Sequence, residues 1–294
     1  MTHTVLLYYK YATVKNPQKF RDEQFLLCQK LRLTGRILIA EEGINGTLEG
    51  TTANVNKYCK VLASKRGFAK THFKKSVGDG KTFPKLSVKV REDIVSNAIA
   101  HWGVDPRKKT GKHLSPENLR AWFESGKKFK IVDMRNDYEH KSGHFEGSVL
   151  APVENFRDIP KVLPKLASLK KEKILTVCTG GVRCEKASAL LLKKGFKDVY
   201  QLDGGIVSYM EKYPNKDFLG KLYVFDQRVV MGFKTDSAEH KVIGRCDRCK
   251  EPSEHYINCG NPVCHVHFIC CEDCVKENSC CKKCAKKHVS HTTK

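Results

Sequence analysis

Two residues of this chain are spaced for covalent chemistry: Cys178 and Arg183, the ends of the run Cys178-Thr179-Gly180-Gly181-Val182-Arg183. Four β-prone, mostly apolar residues, Ile174 to Val177, lead into the cysteine. Helix formers with apolar residues at helical spacing follow from Glu185 to Lys194, and Gly195 stops them. The pattern predicts strand, loop and helix, with Cys178 at the strand's end and the loop over the helix N-terminus. Backbone N–H groups and the helix dipole favour negative charge there. Cys178 is therefore expected to be a thiolate of lowered pKa and a nucleophile. Arg183 adds a fixed positive charge and a planar fork of donors. A merely structural cysteine beside a turn would leave Gly180, Gly181 and Arg183 unexplained.

Loop length separates two chemistries. Cysteine-dependent phosphatases place the arginine six positions after the cysteine; here it is five, and the sixth residue is Cys184. A shorter loop leaves a tighter pocket, matched to one sulfur atom better than to a phosphoryl group. Cys184 reads either as a second thiol that resolves a persulfide or disulfide, or as a small core residue at the helix start.

Further elements must position this loop. Phe129 to Glu139 reads as a strand ending in the charged residues Asp133, Arg135 and Glu139. Gly195 to Gly205 reads as another short strand with a glycine turn. With Gly143, His144, Gly147, Leu202, Gly204 and Gly205, the segment 112–215 resembles a rhodanese domain. The resemblance implies an α/β domain with a parallel sheet and a cysteine able to carry a persulfide, with Asp133, Arg135 and Glu139 as supporting residues.

The N-terminal part predicts strand, helix, strand, strand, helix, strand, which suggests a ferredoxin-like, acylphosphatase-like α+β sandwich over 1–95. Its helices open at Asn16-Pro17 and at Thr51. Ile44-Asn45-Gly46 reads as the hairpin turn, and the last strand as Leu86 to Arg91. Arg36, Asn45, Lys85, Lys89 and Arg91 are candidate RNA contacts, or else a solvated face. Residues 96–114 read as a linker and 115–235 as the rhodanese-like domain, whose helix starts at Ser115-Pro116. Residues 218–233 read as one strand with a charged pair inside it. A cysteine-rich tail fills 236–294.

Net charge is +22, from 54 Lys+Arg against 32 Asp+Glu, which favours a polyanionic partner, nucleic acid first. The chain lacks an apolar run of roughly 18 residues, so no membrane span is expected; the N-terminus does not read as a signal peptide, which points to the cytoplasm. No Gly-x-Gly-x-x-Gly pattern for a flavin or nicotinamide is present.

Ten of the fourteen cysteines fall between Cys246 and Cys284. Clustered Cys-x-x-Cys pairs in a cytosolic chain read as metal ligands rather than disulfides. Two structural zinc sites are expected in interleaved order: Cys246, Cys249, Cys271 and Cys274 on one ion, and Cys259, Cys264, Cys281 and Cys284 on the other. Cys270 or Cys280 can replace a neighbour in that pairing, and His265, His267 and His288 lie close in sequence. An iron–sulfur cluster and redox-active thiols are the other readings. With few apolar residues, the tail is not expected to fold without metal.

Three features together go beyond a generic rhodanese: Gly35-Arg-Ile-Leu-Ile-Ala-Glu-Glu-Gly-Ile-Asn45; Asp133-Met-Arg-Asn-Asp-Tyr-Glu139 with Cys178 to Lys186; and Val224-Phe-Asp226-Gln-Arg228-Val ahead of the Cys-x-x-Cys tail. The combination resembles the rhodanese-domain tRNA uridine hydroxylase family over nearly the full chain. The resemblance implies O2-dependent conversion of the wobble uridine in the tRNA anticodon loop to 5-hydroxyuridine, with Cys178 as the catalytic cysteine. Where the family often has Phe-Asp-Asp-Arg, this chain has Gln227. A sulfurtransferase carrying sulfur as a persulfide on Cys178 is the alternative. A zinc-dependent binding protein with an inactive loop is a third reading, against which the intact Cys178 and Arg183 argue.

Overall fold

The computed structural model describes residues 2–95, 102–151, 153–264 and 266–289, with side chains as far as Ala285. The first sheet is built from β1 (His3–Tyr11), β2 (Thr34–Ala40), β3 (Gly43–Thr51), β4 (His72–Gly78) and β5 (Leu86–Val90), with α1 (Pro17–Lys30) and α2 (Thr52–Ser64) on one face. The strand order is β4-β1-β3-β2-β5, antiparallel except for β2 with β5. Both helices start as the sequence requires: Asn16 accepts from Lys19 N, and Thr51 accepts from Asn54 N. Leu6, Tyr8, Ile37, Ile39 and Leu48 point to the helices and, with Tyr58 and Leu62, form the core. The alternate residues of β1, Leu7, Tyr9 and Tyr11, face the opposite way.

Two expectations are corrected here. The strand that completes the ferredoxin-like pattern is β4, whose lysines disguise it in the sequence; β5 is an added edge strand parallel to β2. The hairpin turn is Glu41–Glu42, because Ala40 pairs with Gly43. Asn45 and Gly46 lie inside β3. Gly46 is there for space: a Cβ would fall 2.5 Å from the Tyr8 hydroxyl.

The second sheet contains β6 (Lys112–Leu114), β7 (Lys130–Asp133), β9 (Val149–Leu150), β10 (Lys173–Val177) and β11 (Asp198–Leu202) in the order β6-β11-β10-β7-β9. Every pairing is parallel. Helices cover both faces, as a parallel sheet demands. α5 (Ile159–Val162) and α6 (Val182–Lys193) lie over one core, and α3 (Pro116–Glu124) and α7 (Gly205–Lys212) over the other. The short α4 (Asp137–His140) follows β7, and β8 (Gly143–Phe145) pairs with β12 (Phe218–Gly220). Of the expected linker, residues 96–101 lie outside the described residues. The remainder is packed rather than loose: Trp102 is buried against Phe156, with ring centroids 5.1 Å apart.

Residues 218–233 do not form one strand. β12 ends at Gly220, and β13 (Leu222–Tyr223) turns back into β14 (Val230–Met231), so the charged pair sits at a hairpin tip. The tail holds the hairpin β15 (Tyr256–Asn258) and β16 (His267–Ile269), then α8 (Glu272–Glu277) and α9 (Lys282–Val289). No described helix is long and apolar enough to cross a membrane.

Candidate active site and cysteine clusters

β10 is sandwiched between β7 and β11 and delivers Cys178 to the sheet's C-terminal edge. There the chain must turn at once into α6. Gly181 makes the turn with φ +98°, a conformation that side chains resist. α7 ties down the other side of the loop: Ile206 N donates to Cys178 O at 2.9 Å and Val207 N to Thr179 O at 3.1 Å. This requires Gly205, where a Cβ would lie 2.7 Å from Cys178 O.

The Cys178 side chain is fully buried and receives the Gly181 amide at 3.2 Å. Burial alone raises a thiol's pKa. The Cys184 thiol, the Arg183 charge and the amides of Cys184 and Gly181 outweigh burial and hold Cys178 down to about 6. Cys184 moves the opposite way, well above its ordinary value, through burial first and then its contact with Cys178. One proton therefore leaves the pair easily and the second does not.

Arg183 is placed differently from the sequence expectation. Its fork is taken by Glu139, with Nη1 to Oε1 at 2.5 Å and Nη2 to Oε2 at 2.8 Å. Nη2 also donates to Thr179 Oγ1 at 3.1 Å. The guanidinium thus braces the loop and lends charge to Cys178 rather than offering a free fork. Glu139 is held by Asn136 N, which donates to Oε1 at 3.0 Å in a capping box. Asp133 and Arg135 form a second, fully buried pair; Arg135 Nη2 reaches Asp133 Oδ2 and Gly143 O, each at 2.6 Å. These supporting residues fix α4 and β8 beneath the loop.

The outward face of the first sheet covers the loop, a placement that no local pattern in the sequence reveals. Lys74 of β4 is buried and donates to Gly180 O at 2.8 Å beneath the Tyr9 ring. Burial brings the Lys74 pKa down to about 8, opposed by Cys178, Asp203 and Glu185. Tyr9 Oη donates to Glu185 Oε1 at 3.1 Å and Tyr11 Oη to Val182 O at 3.4 Å. Lys186 of α6 closes the contact by pairing with Glu42 at 2.5 Å and Asp93 at 2.8 Å. The one available signal is the β-prone run Thr71-His-Phe-Lys74-Lys-Ser-Val77, masked by its lysines.

A cavity of about 310 Å³ lies between the sheet and the loop. Thr179, Gly180, Val182 and Arg183 line one side, and Arg36 and Asn45 the other. Lys85, Lys89 and Arg91 are outside the cavity. Register places Arg36 beside Ser87 and Leu38 beside Lys89, so these basic residues share the sheet face that carries the cavity. Arg36, Lys85, Lys89 and Arg91 are all exposed.

In the tail, the structure brings together the two expected groups: Cys246, Cys249, Cys271 and Cys274, and Cys259, Cys264, Cys281 and Cys284. Within each, the four sulfur atoms lie within 4.8 Å of one another. Cys249 and Cys271 are 3.6 Å apart, and Cys264 and Cys281 3.8 Å. A tetrahedron with metal–sulfur distances of about 2.3 Å has edges of about 3.8 Å, so both groups suit a metal ion. Cys270 and Cys280 belong to neither. His265 lies outside the described residues, His267 stacks on Tyr256, and nothing is described of the His288 side chain. The tail meets the segment that holds Glu139 where Tyr256 Oη donates to Tyr138 O at 2.6 Å, one residue before Glu139.

A buried cysteine at a parallel-strand end, its loop seated on a helix and closed by arginine, defines a rhodanese-like domain. The Rhodanese-like domain family matches residues 115–212, the rhodanese C-terminal family 219–285, and the UPF0176 acylphosphatase like domain 3–94. The tRNA uridine(34) hydroxylase of Cytophaga hutchinsonii is 41% identical across 96% of this chain and 89% of its own length. That of Onion yellows phytoplasma is 42% identical across 92% and 87%. A solved rhodanese-like domain protein from Staphylococcus aureus is 30% identical across 33% of this chain and 90% of its own, with a TM-score of 0.30. The chain belongs to the tRNA uridine(34) hydroxylase family.

Proposed function

We propose that this protein is an oxidoreductase that hydroxylates C5 of uridine 34 in the tRNA anticodon loop with O2, giving 5-hydroxyuridine. One observation carries the reading: the cysteine loop lines one cavity with Arg36 and Asn45, on a sheet face whose further basic residues, Lys85, Lys89 and Arg91, are exposed beside it. Loop bases of RNA are read when they are splayed out of the stack, and phosphates bind lysine and arginine. A tRNA substrate implies work in the cytoplasm.

In this proposal the Cys178 thiolate adds to C6 of the uracil, and the C5–C6 electron pair moves to C5 and O4 as an enolate. C5 takes up O2 and a proton as a hydroperoxide. An external two-electron donor of the thiol class, with two protons, reduces this to C5–OH and water. Loss of the C5 proton and departure of the thiolate restore the double bond. Lys74, the loop amides and the Arg183 charge keep the thiolate available. The two cysteine groups would hold structural zinc and supply no chemistry to the reaction.

The complete burial of Cys178 in a short loop favours a second reading, in which it carries a sulfane sulfur as a sulfurtransferase. Nucleoside mass spectrometry separates the two. In a hydroxylation-deficient strain, 5-hydroxyuridine derivatives are expected with the intact protein and not with Cys178→Ala. Their absence from both cultures, with rapid thiocyanate formation from thiosulfate and cyanide, would give first place to sulfur transfer.

A further inference from the structure

The segment Val224-Phe225-Asp226-Gln227-Arg228 has no task in the chemistry above. It forms the tip of the β13–β14 hairpin, and the tip is tethered. Arg228 closes on Asp226, with Nε to Oδ1 at 2.9 Å and Nη2 to Oδ2 at 2.7 Å. Its remaining arm reaches β4, where Nη1 donates to Ser76 Oγ at 2.9 Å. Gln227 N donates to Thr82 O at 3.2 Å. Both anchors belong to the N-terminal part of the chain, so the tip bridges the two sheets.

Such anchoring would ordinarily bury an aromatic ring, yet Phe225 remains 50% exposed. Among the described residues it is the one aromatic in the set of exposed large apolar side chains; the others are leucine and valine. Tyr223 meets it edge-on, with centroids 5.4 Å apart, and the Arg183 guanidinium lies 5.8 Å from its centre. The ring lines the 310 Å³ cavity together with Arg36, Asn45 and Arg183. A rigidly held, half-open ring at a cavity beside exposed basic residues is the arrangement that unpaired bases stack on.

We infer that Phe225 is the stacking platform for the unpaired pyrimidine entering the cavity, and that the Asp226–Arg228 pair exists to hold it there. The inference rests on the tRNA reading and names the side chain that takes the base. Gln227 contributes its backbone to this anchor, which explains how a glutamine is accommodated at that position.

The test uses the full-length, metal-loaded protein and an anticodon stem-loop RNA with a fluorescent uridine analogue, one that stacking quenches, at the wobble position. Binding to the wild type is expected to quench the fluorescence. Phe225→Ala and Phe225→Leu are expected to lose the quench and to raise KM for the unlabelled stem-loop about 10-fold, within the range for one stacked base. Phe225→Trp, which keeps a π-face, is expected to stay within about 3-fold of wild type. Equal Cys178 thiolate titration in all variants would show that the loop itself is intact. Wild-type KM and quench in Phe225→Leu, or a tryptophan variant as weak as alanine, overturns the inference. So does a wild type that binds the RNA without quenching, even if it hydroxylates tRNA; failure of the wild type to hydroxylate tRNA would count separately against the functional reading.

Discussion

Replacing Glu139 with Gln should weaken the fold while making Cys178 more acidic. Glu139 is fully buried and Arg183 nearly so, and they share two hydrogen bonds of 2.5 and 2.8 Å. Removing one partner of a buried ion pair costs about 3–5 kcal/mol, because the other charge is left uncompensated. Glutamine keeps one acceptor, enough for Asn136 N or one arm of Arg183, and sets an NH2 group against the other arm. The cost should therefore fall near the lower end, about 3 kcal/mol. At about 2–4 °C per kcal/mol for bodies of this size, the melting temperature drops by about 6–12 °C. The sign at the cysteine is opposite to that of a simple loss. Glu139 partly neutralises the guanidinium that favours the thiolate, so Glu139→Gln moves the Cys178 titration below about 6. Calorimetry on the metal-loaded protein gives the first quantity; the ultraviolet thiolate absorbance, taken as a difference from Cys178→Ser, gives the second. A melting temperature within about 2 °C of wild type, or a Cys178 midpoint that rises, would refute the account. Glu139→Gln with Arg183→Met should recover much of the stability while raising the thiol's pKa, since both buried charges are then gone.

In the wild type, the same difference titration is expected to show one thiolate forming at about pH 6 and no second step below pH 9, because Cys184 is pushed up. The pair's contribution to stability then grows as pH rises from about 6 to 9, where the unfolded thiols remain protonated, and shrinks above 9, where the unfolded Cys184 ionises and the folded one does not. Lys74→Met should raise the Cys178 midpoint, and Lys74→Arg should raise it less; equal midpoints in all three proteins would remove Lys74 from the site. Chelation should release two zinc ions per chain by mass spectrometry and abolish hydrogen-exchange protection of β15 and β16; retained protection would show that the tail folds without metal. Alanine at Arg36, Lys85, Lys89 and Arg91 together should flatten the salt dependence of tRNA binding by about 0.7 in slope for each phosphate no longer neutralised, about 3 in all, whereas an unchanged slope would place the RNA elsewhere.

What the sequence makes legible follows the reach of the signal. Strand, loop and helix around Cys178 are contiguous, so local pattern alone places them. The interleaved cysteine groups are also legible, because Cys-x-x-Cys spacing is itself a geometric constraint. The Asn45-Gly46 pair misleads: it carries the strongest hairpin-turn signal, but here its glycine makes room for the Tyr8 ring and the turn falls on two glutamates. β4 escapes notice because a buried lysine breaks the alternation that marks a half-buried strand. The commitment of Arg183 to Glu139 lies out of reach, since 44 residues separate them and only the packed fold sets the fork's direction.

The burial of Lys74 explains why the two sheets act as one device. A lysine so enclosed is destabilising unless something accepts its charge, and Gly180 O, Asp203, Glu185 and the Cys178 thiolate together provide that. Every one of these acceptors belongs to the rhodanese-like part, while the lysine belongs to the other. Undocking the sheet would take the Lys74 charge away from the sulfur, and would open the cavity whose opposite wall carries Arg36 and Asn45. The same docking therefore sets the thiolate's availability and shapes the space where a base would meet it. An isolated rhodanese-like domain retains the loop sequence but lacks both, which is the physical reason to expect that Cys178 does its work only beneath the first sheet.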